Sequence, residues 1–344
     1  MAQSSKSAKT ITAVGLDIGS HSVKCVEITH GDGSIKLHRV SILPVPDNTA
    51  KGWAEVLKVM MEPMTATKRL RISVSGSSLL IRRISLPIMT PAELKGAIRF
   101  EAESHIPFPI DDCVLDFQIL NRDDEKKLMN VLLVAAKKDF IQDRLKVLSE
   151  LNIHPELIDV DIFCLINAFE MLGDEQQKDR TYGLLNIGHQ VSSFAIIQGK
   201  QPFFVREIPL GGYSVTKALA EIKGVADAEA DQLKTEKDPA VADSLKEATE
   251  RGFEQLVSEL SHSIDYFENE SGEELHQIWM SGGGALSVQA AEILSKELGK
   301  QVALWDNTKK MEIFGQMDQK YLAEHSAELN VAFGMVLRDT GKKK

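Results

Sequence analysis

Apolar residues follow two rhythms along this chain. Ala13, Val14, Gly15 and Leu16 form a short continuous run, and Val23 to Ile28 alternates with polar residues. Both are strand patterns, and the small polar stretch between them predicts a tight hairpin. A third strand is expected over Ser34–Leu43, entered through Gly31-Asp32-Gly33 and stopped by Pro44-Val45-Pro46-Asp47. Trp53, Val56, Leu57 and Met60 recur at helical spacing, which predicts a helix over Trp53–Met64. Arg71–Val74 is a short strand ending at Ser75-Gly76-Ser77.

The texture then changes. A strand over Arg82–Leu86 is stopped by Pro87, and a helix over Pro91–Ser104 has Thr90 as N-cap and proline at its first position. Glu103 to Ile110 carries two prolines and cannot be helix. Strands over Val114–Leu120 and Leu128–Ala136 and a helix over Asp139–Leu151 complete a β-α-β-β-α block, read as an inserted α+β subdomain. An apolar helix over Asp161–Leu172 leads to a charged linker, Gly173–Arg180.

After the linker the opening pattern returns. Strands over Tyr182–Ile187, Val191–Ile197 and Pro202–Pro209 surround the turn Gly188-His189-Gln190, and a helix follows over Tyr213–Ile222. AVGLDIGS in the first half aligns with YGLLNIGH in the second, the signature of an internal repeat. A helix over Ala226–Lys234 comes next, then a second linker from Pro239 and a long helix over Leu245–Glu268. Ile278–Met280 is a strand running into Ser281-Gly282-Gly283-Gly284-Ala285. Helices over Leu286–Leu298 and Ser326–Leu337 flank a strand over Val302–Leu304.

Composition narrows the function. With 344 residues the chain is long enough for two or more cores. A net charge of −10 argues against nucleic acid as a partner. Cys25, Cys113 and Cys164 show no metal-ligand spacing and read as reduced buried thiols. The polar N-terminus is no secretory signal, no apolar run spans a membrane, and the charged end, Gly341–Lys344, is no amphipathic anchor. The expected location is cytoplasmic, without direct membrane insertion.

The first turn carries the candidate chemistry. Gly19 allows close backbone approach, and Ser20 and Ser22 offer hydroxyls beside free N–H groups, an arrangement that cradles phosphate oxygens. Asp17, at the strand end, is placed to hold a magnesium-bound water or a lysine. An ordinary Gly-Ser hairpin turn has the same composition. In the inserted block, Phe100, Ile106, Pro107, Phe108 and Ile110 gather apolar side chains on chain that proline keeps extended, available either to a partner or to the block's own core. The expected arrangement is mixed, with Phe100 inward and part of the Ile-Pro-Phe segment at a groove rim.

Two similar halves with a glycine turn after each first strand resemble the actin, sugar-kinase and heat-shock-chaperone superfamily. Within it the chain resembles the PilM family of type IV pilus assembly, related to FtsA. GLDIGSHSVKCVEI from Gly15, IRFEAESHIPFPIDD from Ile98, LLNIGHQVSSFAII from Leu184, REIPLGG from Arg206 and SGGGA from Ser281 carry the likeness. It implies an α/β actin-like (ribonuclease-H-like) fold of two lobes gripping a nucleotide. The first lobe would take residues 1–84 and 156–178, around an inserted subdomain at 85–155 shared with FtsA. The second would comprise a core at 179–222, a helical part at 223–268 and an adenosine-binding part at 269–325, before a C-terminal helix and tail at 326–344.

The resemblance also implies site roles. Asp17, Gly19, Ser20, Ser22 and Lys24 match the first phosphate turn; Lys24 points either into it or to solvent. Asn186, Gly188 and His189 occupy the second phosphate turn, with His189 read as a turn residue. The family usually has aspartate at Asn186, so the neutral amide argues against fast hydrolysis and leaves at most a slow ATPase. Gly282, Gly283, Gly284 and Ala285 match the adenosine segment. Asp231 and Lys234 share a helix face, as a ribose and adenine pair or as a solvated ion pair. Asp161 is either a cap or the residue facing a catalytic water. ATP and Mg²⁺ are the implied cofactors. The implied partner is the cytoplasmic N-terminal peptide of PilN, and through it PilO, the inner-membrane platform and the assembly motor ATPases. A small-molecule kinase would need a catalytic aspartate and a sugar pocket, and an FtsA-like filament protein would assemble with concentration.

Overall fold

The computed structural model describes residues 11–31, 34–62, 69–173, 180–199, 201–236, 239–315 and 317–338. Asp32 and Gly33 of the first expected turn, the helix end expected at Met64, most of the 173–180 linker and both termini lie outside these residues. Strands β1 (Ile11–Ile18), β2 (Ser22–Gly31) and β3 (Ser34–Pro44) form an antiparallel meander. Helix α1 (Ala50–Met61), capped by the Thr49 hydroxyl, carries the chain to β4 (Arg69–Val74), which runs parallel to β1.

The inserted block follows. Strand β5 (Leu79–Pro87) precedes α2 (Pro91–Glu103), β6 (Cys113–Asp123) and β7 (Leu128–Lys137), and the three strands pair antiparallel in the order β5-β7-β6. Thr90 and Glu93 close a reciprocal capping box over α2, with Pro91 in the first turn. Helix α3 (Lys138–Glu150) leaves this sheet and sets Val147 and Leu148 into the core beneath β1 and α1.

Phe100 corrects the expectation of an inward ring. Leu94, Ile98 and Ala102, four residues apart, form the buried face of α2, so Phe100 falls on the far side and is 77% exposed. Ile106 points inward instead, while Phe108 and Ile110 pack half-buried against the same core and Pro107 is exposed.

Strand β8 (Leu157–Val160) returns parallel to β4, and α4 (Asp161–Leu172) follows directly. The second half repeats the plan. Strands β9 (Thr181–Ile187), β10 (Ser192–Gln198) and β11 (Gln201–Ile208) make a second meander. Helices α5 (Gly212–Lys223), α6 (Asp227–Glu236) and α7 (Ala242–Ser271) lead to β12 (Gln277–Ser281), which is parallel to β9. The linker expected at Pro239 is a single 3₁₀ turn before α7. Helix α8 (Ala290–Leu298) and β13 (Gln301–Leu304) extend the sheet, giving β11-β10-β9-β12-β13. Short β14 (Glu312–Ile313) crosses back to pair with β3, so the first sheet reads β14-β3-β2-β1-β4-β8. Helices α9 (Gln319–Glu324) and α10 (Ser326–Leu337) close the described chain.

Helices α4 and α10 meet between the two large sheets, and their residues share one core with both. Gly334 is required there: a Cβ would overlap the Cys164 carbonyl. Arg71, fully buried on β4, donates through Nη1 to the carbonyls of Met335 (2.8 Å), Val336 (3.2 Å) and Arg338 (2.8 Å), and its Nε pairs with Glu156 at 3.2 Å. It thereby satisfies the orphan carbonyls at the end of α10. The three cysteines are buried. No described helix is long and apolar enough to cross a membrane.

Candidate functional site: a cleft between two glycine turns

The β1–β2 and β9–β10 turns are built alike. Gly19 N–H donates to the Ser22 carbonyl at 3.1 Å, and Gly188 N–H donates to the Val191 carbonyl at 3.0 Å. A Cβ at Gly19 would stand 2.8 Å from that Ser22 oxygen, and one at Gly188 would stand 2.6 Å from the Val191 oxygen. The two turns face each other, with the His21 and His189 rings stacked at 4.8 Å between centroids. Between them opens a cleft of about 400 Å³, a size suited to a small ligand.

The cleft gathers most of the expected residues. Asp17, Gly19, Ser20, Ser22 and Lys24 line one side; Asn186, Gly188, His189, Lys234, Gly282, Gly283 and Gly284 line the other. Asp17 and Lys24 are cross-strand partners on β1 and β2, and they pair at 3.2 Å. Lys24 therefore points into the turn and not to solvent. Burial works against its charge, but Asp17, Glu328 and Asp161 outweigh that and raise its pKa. Gly282 takes φ +88° where β12 ends, against Asn186 Oδ1 and the Ile187 backbone, which leaves no room for a side chain. Ala285 does not line the cleft; it is buried behind the glycine turn in the second core.

Asp231 and Lys234 engage each other. Lys234 Nζ lies 2.8 Å from Asp231 Oδ1 and 2.6 Å from Thr216 Oγ1. The Thr216 hydroxyl lies 3.1 Å from the same Oδ1. Burial pulls His189 down to about 4, with His21 adding to the effect, so the ring is neutral at pH 7.

Several cleft residues have little or no sequence signal. Trp53 Nε1 donates to the Gly19 carbonyl at 3.2 Å, and the Arg144 guanidinium lies 3.8 Å over the Trp53 ring. Arg144 comes from α3, and its buried Nη1 has no hydrogen-bond partner among the described residues. The end of β4 with the loop after it, Ser73–Ser78, and Glu328 complete the wall. Asp161 opens α4 at the cleft floor, where burial and then the Asp17 charge push it up to about 6. Only the helix-start position of Asp161 was legible; Arg144 and Trp53 reach the cleft through tertiary packing of α3 on α1.

A second groove, of about 810 Å³, lies between the β5 edge and the β11 edge, with Arg83 over the Phe203 ring at 4.6 Å. None of Phe100, Ile106, Pro107, Phe108 and Ile110 lines it.

The family model described as type IV pilus assembly protein PilM matches residues 15–340. The structure is similar to a PilM–PilN type IV pilus biogenesis complex, with a TM-score of 0.83 and 25% identity over 95% of this chain and 98% of that one. It is also similar in fold to the ethanolamine utilization protein EutJ from Carboxydothermus hydrogenoformans, with a TM-score of 0.52 and 14% identity over 95% of this chain and 89% of that one. The fold is the actin-like two-lobed one, and the chain belongs to the PilM family of type IV pilus assembly proteins.

Proposed function

We propose that this pilus assembly protein binds ATP with Mg²⁺ in the cleft and a PilN N-terminal peptide on the inserted block, and that each influences the other. The observation that carries the nucleotide half is the pair of like-built glycine turns facing one crevice. Serine hydroxyls and N–H groups of Gly19–Ser22 would hold phosphate oxygens. Arg144 has an unpartnered buried donor to offer the terminal phosphate. The glycines at 282–284 leave space for purine and ribose.

The donor chemistry fits a hard cation. Asp17 and Asp161 are buried close enough for one charge to raise the pKa of the other, with Lys24 and Arg144 as the nearby cations. Asp17, through a water, and Asp161 would hold Mg²⁺. The ion would offset charge on the phosphates. Asn186 adds no charge, so ATP is held more than it is turned over. Asp161 is the residue positioned to take a proton from water if slow hydrolysis occurs.

The peptide half is supported by the likeness to a PilM–PilN complex and by apolar surface on the inserted block. Phe100, at 77% exposure, lies there on α2, and Pro107 is exposed as well. Ile106 supports this surface from below. Because α3 runs from the inserted sheet to the cleft wall, a nucleotide touching Arg144 would bias the block, which is two-site linkage. Association with PilO, the motor ATPases and the inner membrane would follow through PilN, with the chain on the cytoplasmic side.

Calorimetry of the full chain with ATP and Mg²⁺, then with a synthetic PilN N-terminal peptide in both nucleotide states, tests this. The expected results are saturable nucleotide binding and a peptide affinity that differs between the states. Absence of peptide binding in both states removes the proposed role.

A further inference from the structure

Three side chains from three elements converge at the mouth of the cleft. His21 sits on the β1–β2 turn, His189 on the β9–β10 turn and Asp231 on α6. Their potential ligand atoms all lie within 4.8 Å of one another. His21 Nδ1 is 3.7 Å from Asp231 Oδ2, too far for a hydrogen bond. The Oδ1 atom is already engaged by Lys234 and Thr216, which fixes the carboxylate and turns Oδ2 toward the imidazoles. The two rings stack with an interplanar angle of 24°.

We propose that His21, His189 and Asp231 form a binding site for a divalent transition-metal ion of the zinc class, which ties the two glycine turns together. Two imidazole nitrogens and one carboxylate oxygen make the three-ligand set of an open zinc site, with water completing the coordination. Mg²⁺ prefers oxygen ligands and does not suit this set. Bonds of about 2.0–2.1 Å to zinc place tetrahedral ligand atoms about 3.3 Å apart. Rotation of the His21 side chain, which is 44% exposed, closes the remaining distance. The Lys234 charge beside Asp231 weakens the site without occupying Oδ2. Since the ligands come from both halves of the repeat, the ion would act as a clasp across the cleft mouth. The assignment stands independently of nucleotide binding, and it is tested without nucleotide.

The probe is Zn²⁺ alone, titrated into the full, chelator-stripped chain by calorimetry, with Co²⁺ visible absorption as a spectroscopic readout. The expected result is one saturable Zn²⁺ per chain, unaffected by excess Mg²⁺, with a metal-dependent rise in melting temperature. His21→Ala and His189→Ala should each weaken binding at least about tenfold, while exposed His154→Ala should leave it unchanged. Should His189→Ala fail to fold, His21→Ala decides alone, because its imidazole is half exposed. No saturable binding to the wild type, or unchanged binding in His21→Ala, overturns the site.

Discussion

At the scale of single residues, the first turn shows what charge pairing does in a dry site. Asp17 and Lys24 lie on successive strands with opposite charges, and strand pairing places them face to face. Their identity was readable from the sequence; the direction of Lys24 was not, because alternation in β2 leaves one face to be chosen by the sheet. Phe100 was readable and was misassigned: the four-residue spacing of Leu94, Ile98 and Ala102 fixes the buried face of α2, and Phe100 lies off it. Gly19→Asp should abolish ATP binding, since the side chain meets the Ser22 carbonyl and puts a second carboxylate beside Asp17; unchanged affinity by calorimetry refutes it. Asn186→Asp should steepen the Mg²⁺ dependence of ATP binding, and superimposable Mg²⁺ titrations would count against the cation's place here. Asp161 has a folded-state pKa raised to about 6. A raised carboxyl pKa means that the folded state binds the proton more tightly. Stability from this group is therefore full below the ordinary carboxylate value and is lost as pH rises toward 6. Without metal, Asp161→Asn should melt several degrees above wild type at pH 7.5, and the gap should close near pH 4.

Among elements, the long periodic ones were legible and the short ones were not. Helices α2, α3, α4, α7 and α10 carry enough turns to show their apolar face. Strand β8 has four residues and β14 has two, and each exists because a neighbouring edge accepts it. A 3₁₀ turn over Gly283–Leu286 follows Gly282 and delays α8 to Ala290 instead of the expected Leu286. Close contact of α4 with α10 depends on Gly334. Gly334→Val should destabilise the protein by on the order of 3 kcal/mol or more through overpacking against backbone, measured by denaturant unfolding. Arg71→Met should cost about 3 kcal/mol by leaving buried helix-end carbonyls unsatisfied. A midpoint unchanged from wild type would show that α10 ends without that cap.

For the whole molecule, the internal repeat predicted two similarly built halves, and the matching strand orders β3-β2-β1-β4-β8 and β11-β10-β9-β12-β13 follow that plan. How the sheets meet had no sequence signal, because long-range pairs decide it. One such pair is Glu207 on β11, which accepts a hydrogen bond from Gly76 N–H of the β4–β5 loop at 3.1 Å. Burial pushes Glu207 up to about 8, against the pull of hydrogen bonds from Ser193 and Gly76, so it is mostly protonated at neutral pH. By the same sign, the stability that this group contributes is full at low pH and is lost as pH rises toward 8. Glu207→Gln should be as stable as wild type near pH 4.5 and increasingly more stable toward pH 8.5 in thermal melts. A constant difference across that range would mean that Glu207 is ionised throughout.

The position of α10 also constrains how the molecule is made. Arg71 waits 264 residues for the Met335 carbonyl that it caps, so a ribosome must add all of those residues before the first sheet receives its cover. Until then the nascent chain exposes a broad oily surface to water. A chaperone that shields such surfaces would be engaged until α10 slots home.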